Sequence, residues 1–225
     1  MKLLIFLFLS SSAFAGKATL NPIAKYSHDV KETSGLYLKD GKLYTVDDNK
    51  PGNIFEMSLR GGKSKVVHKT LGDTEGLTWR GGRWLVVRET SGEVRSYPGG
   101  ELVTRWRGNK STGPEAITYD AKGEVLFLGN ESPPILAVID NEGNVEEWPI
   151  SWVNSINDIS YDEHCDCLWL VSSRDGSLNK VSTSGKLLKS WKLGYHGAEG
   201  IAQDDDHLYI VRDNKSELSV YNKPD

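Results

Sequence analysis

Asp73-Thr74-Glu75-Gly76-Leu77-Thr78-Trp79, then Arg80-Gly81-Gly82-Arg83, then Trp84-Leu85-Val86-Val87, is the stretch that decides the fold. The first piece alternates with period two and predicts an inner strand, A. The glycines that follow supply the positive φ of a tight hairpin turn. The four-residue apolar run predicts strand B, buried on both faces. Residues 93–97 predict strand C, and the Gly99-Gly100 turn leads into strand D at 101–107. The unit then recurs. Ser34-Gly35-Leu36, Glu115-Ala116-Ile117, Asp158-Ile159 and Glu199-Gly200-Ile201 open further copies, and the steps from Glu75 to Glu115, Asp158 and Glu199 are 40, 43 and 41 residues. A period near 40 made only of strands and turns is the signature of β-propeller blades. Five copies predict an all-β, five-bladed β-propeller with four-stranded blades.

The last copy is one strand short. Its A, B and C strands are predicted at 200–203, 208–211 and 218–221, while a surplus strand-like segment lies at 23–28, ahead of the first copy. The expectation is that this segment supplies the outer strand of the last blade. Such closure would join the two ends of the chain and remove an unpaired sheet edge. Trp79, Tyr119 and Tyr161 share one place on strand A, and Trp84 and Trp169 open strand B. They are expected to fill the gaps between twisted sheets.

Residues 1–15 stand apart from the fold. Lys2, an apolar run at 3–9, a Ser-rich stretch and Ala13-Phe14-Ala15 form the n-region, h-region and A-x-A site of a signal peptide. The expected product is a periplasmic or secreted domain of residues 16–225 with no stable membrane span, acting as a monomer. The formal net charge is −4, with no basic block, which argues against a nucleic-acid partner. Cys165 and Cys167 are the two cysteines. Their one-residue spacing argues against a structural disulfide, and two thiols argue against a cysteine zinc site.

Strands A and B run antiparallel, so the start of A and the end of B share one rim. There the copies offer Glu75, Glu115, Asp158 and Glu199, with Ser34 in the first, as an inner circle. Asp48, Glu89, Asn130 and Asp213 form an outer one, accompanied by Arg88 and Arg212. Two like charges 4 Å apart repel by about 1 kcal/mol even in water. Four carboxylates together therefore call for relief. They can fasten neighbouring blades through backbone N–H groups, hold a hard cation such as Ca²⁺ in an all-oxygen site, or meet a polar ligand. Arg88 and Arg212 could bind anionic groups of that ligand bidentately. His196, three residues before Glu199, is the one histidine on this rim and the candidate general base.

At these residues the chain resembles the SdiA-regulated domain family of bacterial β-propellers. The resemblance is carried by Ser34-Gly35-Leu36, Asn49-Lys50-Pro51 leading to Ile54-Phe55-Glu56-Met57, Asp73-Thr74-Glu75-Gly76-Leu77, Pro114-Glu115-Ala116-Ile117 and Ala198-Glu199-Gly200-Ile201 with Leu208-Tyr209-Ile210-Val211. It implies an exported or inner-membrane-associated propeller without an assigned reaction. More distantly the chain is similar to calcium-containing propeller hydrolases of the phytase-like and lactonase-like kinds. Asn157-Asp158-Ile159 and Ser173 depart from the family pattern.

The expected function is binding of Ca²⁺, a small polar ligand or a peptide at an acidic channel mouth. The alternatives are a metal-dependent phosphoester or lactone hydrolase and a protein-interaction scaffold of the envelope.

Overall fold

A computed structural model describes residues 17–108 and 112–224. The signal-peptide segment lies outside the described residues. Five antiparallel sheets of four strands form the ring. After β1 (Ala24–Ser27), blade one comprises β2 (Thr33–Lys39), β3 (Lys42–Asp47), β4 (Asn53–Ser58) and β5 (Gly61–Lys69). Blade two is β6 (Thr74–Arg80), β7 (Arg83–Arg88), β8 (Glu93–Tyr97) and β9 (Glu101–Arg105). Blade three is β10 (Pro114–Asp120), β11 (Val125–Asn130), β12 (Ile135–Ile139) and β13 (Val145–Pro149). Blade four follows as β14 (Asp158–Asp162), β15 (Cys167–Ser172), β16 (Ser177–Ser182) and β17 (Leu187–Lys192). Blade five has β18 (Ala198–Gln203), β19 (His207–Arg212) and β20 (Glu217–Asn222) from the C-terminal end of the chain.

The fourth strand of blade five is β1, which pairs antiparallel with β20 from Ala24↔Val220 to Ser27↔Glu217. The predicted ring closure is therefore present. The segment before and after β1 extends the seam. Leu20 donates its amide to the Lys192 carbonyl of blade four at 2.8 Å, and His28 bridges to Gly62 of blade one. One strap thus touches the outer edges of three consecutive blades. A chain starting at Asp29 is expected to expose the β20 edge and to self-associate, because unpaired edges template pairing. Light scattering of that truncation against the full mature chain checks this; a monodisperse monomer would refute it.

Hydrophobic burial lies between blades. Trp169, Leu178 and Trp191 of blade four pack on Ile201, Ile210 and Tyr221 of blade five. Leu36, Leu43 and Met57 of blade one meet Ala202, Tyr209 and Leu218 across the seam. Trp84 and Trp169 are buried, while Trp79, Tyr119 and Tyr161 flank the clusters half-buried. The inner strands approach closely at glycine. A Cβ on Gly35, whose φ is +55°, would stand 2.6 Å from the Glu75 carbonyl oxygen, and one on Gly76 would stand 2.5 Å from that of Glu115.

The expectation against a disulfide does not hold. Cys165 and Cys167 are joined, with their Cα atoms 5.2 Å apart, across the β14–β15 turn. Asp166 between them takes a left-handed φ of 47°, which turns the backbone enough to bring both thiols together.

Candidate functional site

The rim where the A strands begin carries a small acidic cavity of about 130 Å³. Glu32, Asp48, Glu75, Glu115, Glu199 and Asp213 line it with Thr33 and Ser34, so six carboxyl groups converge there and none of the eight lining residues is basic. The local cause is a repeated irregularity. In blades three and five the ladder skips one residue, between Pro114 and Ala116 and between Ala198 and Gly200, leaving Glu115 and Glu199 out of the pairing. In blade two the skip takes in Glu75 and Gly76. Such bulges re-aim a side chain where a sheet ends.

Blade four is built differently. Asp158 pairs with Val171 and Ile159 with Leu170, while Ile201 of blade five pairs with Ile210 and Gly200 with Val211. Aligned by register, Asp158 occupies the glycine place of the repeat, and Asn157 occupies the place of the glutamates. The inner circle is therefore Ser34, Glu75, Glu115, Asn157 and Glu199. Aligning the copies on Leu36, Leu77, Ile117, Ile159 and Ile201 identifies this from sequence; aligning on the acids does not.

Asn157 acts as a clasp. Its Nδ2 donates to Glu115 Oε2 at 3.1 Å and to Glu199 Oε2 at 2.9 Å. Its Oδ1 accepts from the Ser155 hydroxyl at 2.7 Å and the Ser173 amide at 2.9 Å, which fixes the orientation of the amide.

Asp158 lies deeper and is 1% exposed. Its Oδ2 accepts the amides of Leu36 in blade one at 2.9 Å and of Ile201 in blade five at 2.8 Å. It fits because its counterparts in the repeat are Gly35, Gly76, Ala116 and Gly200, which leave the centre open to one side chain. Oδ1 is buried without a partner among the described residues. Burial holds the Asp158 carboxyl well above the usual range, against the pull of backbone donors. Asp158 is thus a fastener across the axis, in the manner weighed for the whole acidic circle.

The circle itself is strained electrostatically. Burial first, then the charge of Asp48, pushes Glu75 up to about 8. Burial pushes Glu199 up to about 7 although the Asn157 bond opposes it. Glu115 is raised well above its ordinary value by burial and by Glu131, Glu75 and Glu199. Asp48 and Glu89, in the outer circle, are raised by partial burial and by neighbouring acids.

The other expected groups fall in different places. Asp213 lines the cavity and its Oδ1 accepts the Thr33 amide at 3.1 Å, tying blade five to blade one. Asn130 is fully buried and donates to the Pro133 carbonyl at 2.9 Å. Arg88 is drawn into a cluster on Glu93, at 3.1 Å, which Arg95 and Arg105 share. Three guanidinium partners hold the Glu93 carboxyl down at about 2. Arg212 lies 4.1 Å from the Tyr195 ring centre and pairs with Glu217 at 3.5 Å. Neither arginine lines the cavity. The His196 ring is exposed, and its Nδ1 lies 3.2 Å and 3.0 Å from the carbonyl oxygens of Ser173 and Arg174.

No family model matches the chain. Solved structures do resemble it. Glutaminyl cyclase from Myxococcus xanthus superposes with a TM-score of 0.71 at 15% identity, over 92% of this chain and 100% of that one. The nidogen/laminin complex gives a TM-score of 0.63 at 16% identity, over 85% of this chain and 76% of the other. Virginiamycin B lyase from Staphylococcus aureus gives 0.54 at 14% identity, over 90% and 74%. At these identities the likeness is one of fold, a bacterial-type β-propeller.

Proposed function

We propose that this chain is an exported propeller that binds a cation, Ca²⁺ by preference, at its acidic mouth. The supporting observation is a set of buried and part-buried carboxyl groups with no basic residue lining their cavity: Glu75, Glu115 and Glu199 are all raised, and Asp158 keeps one oxygen without a partner among the described residues. The donors are all oxygen, which suits a hard cation. A cavity of about 130 Å³ holds an ion and a few waters, since water takes about 30 Å³ each. Glu75, Glu115 and Glu199 would be the ligands, with Asn157 holding two of them in place and Asp158 behind them. The protein would act as a monomer. Export is supported by the N-terminal pattern and by the Cys165–Cys167 disulfide, a bond of oxidising compartments. The resemblance to the SdiA-regulated domain family agrees with this reading.

At neutral pH the metal must displace protons from these acids. Calorimetric titration with Ca²⁺ in two buffers of different ionisation enthalpy is expected to give different heats, and Glu75→Gln to weaken binding at least about tenfold, the equivalent of 1.4 kcal/mol. Absence of heat, together with no change in melting temperature on adding Ca²⁺ or EDTA, would end the proposal.

A second reading draws on the same groups. Carboxyls poised at about 7 and about 8 suit general acid–base work near neutrality. The fold likeness to a glutaminyl cyclase makes an N-terminal glutaminyl peptide the first substrate to try, with ammonia release as the readout. The hydrolase and scaffold alternatives gain no comparable observation, and His196 is engaged by backbone carbonyls.

A further inference from the structure

The disulfide is one the fold does not need. It closes a loop with only Asp166 inside, and so short a link takes little freedom from the unfolded chain. The turn is held in other ways. Asp162 pairs with Cys167 in the ladder, and Asp162 Oδ1 accepts the His164 amide at 3.1 Å. The two cysteines also differ sharply in access. Cys165 is exposed, whereas Cys167 is 1% exposed. Beside Cys165 lies a cleft of about 380 Å³, to which His164, Trp169, Lys180 and Lys223 contribute.

The same corner does not suit a metal. Both sulfurs and a carboxylate oxygen of Asp162 lie within 4.8 Å of one another. However, Asp162 Oδ2 already accepts Trp169 Nε1 at 3.0 Å and Lys223 Nζ at 2.8 Å. The ammonium sits where a cation would have to go. Asp162, Asp205 and Asp206 line the cleft with Lys180 and Lys223, so the case for exchange rests on access: one sulfur open to an attacking thiolate beside a cleft, the other buried.

We propose that Cys165–Cys167 is a thiol–disulfide exchange site, on the face opposite the acidic mouth, that oxidises dithiol substrates such as paired cysteines of an unfolded exported polypeptide. A substrate thiolate attacks Cys165 Sγ, the S–S bond breaks, and Cys167 departs as a thiolate that takes a proton from water. The second substrate thiolate then attacks the substrate sulfur of the mixed disulfide, and Cys165 leaves. The substrate loses two electrons to become a disulfide, and the protein gains them as two thiols. A low-molecular-weight disulfide restores the oxidised form by the reverse exchange.

The test uses the full mature chain, purified oxidised, with glutathione and reduced ribonuclease A as probes. Excess reduced glutathione is expected to open the bond completely, read by thiol alkylation and mass. With oxidised glutathione, Cys167→Ser is expected to form an adduct at Cys165 at least about tenfold faster than Cys165→Ser does at the buried Cys167. One equivalent of wild-type chain should transfer up to one disulfide to reduced ribonuclease, and the double serine variant none. A bond that survives excess glutathione, equal adduct rates in the two variants, or no transfer to ribonuclease overturns the proposal. The wild-type arms need no variant to fold.

Discussion

Asp158→Ala is expected to cost about 3–5 kcal/mol of stability, the combined scale of two orphaned buried donors and the void left behind. The variant strips the acceptor from two amides, those of Leu36 and Ile201, which belong to blades on either side of the seam. A buried donor left without a partner costs about 1–3 kcal/mol, and two are orphaned at once. It also opens a void beside Gly35 and Gly200, the residues that precede those two amides. Asp158→Asn is the informative companion. Its amide oxygen can still accept both N–H groups, and it carries no charge. Burial raises the Asp158 carboxyl well above the usual range and so disfavours its charge, and the neutral isostere should lie within about 1 kcal/mol of wild type in EDTA. Urea unfolding of the three proteins at one pH measures this. An alanine variant as stable as wild type would remove Asp158 from the ring's fastening.

The second large effect is on pH. Glu75 and Glu199 bind protons more tightly in the folded state than in the unfolded one, where their pKa is near 4.5. Between these limits the native state holds more protons, so its stability falls as pH rises. The contribution is complete below about pH 4.5, is lost progressively above it, and is gone once the pH has passed about 7 for Glu199 and about 8 for Glu75. One pKa unit is about 1.4 kcal/mol, and the two groups share neighbours. An overall loss of roughly 2–4 kcal/mol between pH 5.5 and 8.5 is the scale expected in EDTA, after allowing for the partial exposure of Glu199. Under the cation proposal, millimolar Ca²⁺ should flatten this slope, and its stabilising effect should be greater at pH 8.5 than at pH 5.5. Melting curves across that range with and without Ca²⁺ decide it. A flat profile in EDTA would mean that the carboxyls are compensated in some other way.

The blades were readable in the sequence because each rests on local causes: period-two alternation, glycine turns and an apolar B strand, repeated near every 40 residues. Even the seam was legible, since one strand was surplus at 23–28 and one missing after 221. The site was legible only in part. Glu75, Glu115 and Glu199 meet at one mouth as expected, with Asp48 and Asp213 beside them. Asp158 misled because an acid one place along looks the same in sequence, and only the ladder register separates Asn157 from it. Arg88 and Arg212 misled for another reason. A strand-end guanidinium can turn toward the axis or toward its own sheet, and Glu93 and Glu217, on the adjacent strands, decided the matter. The disulfide was missed because spacing speaks to loop size and not to the sign of one φ angle, that of Asp166.

The strap of residues 18–28 has a consequence for how the molecule is made. The first described strand to leave the ribosome has no partner until Glu217–Asn222, the last, has followed it nearly two hundred residues later. Every other described strand finds its neighbour through a hairpin. Assembly must therefore end, rather than begin, at the amino terminus, and the waiting segment is the part that any chaperone or transport factor would find unpaired.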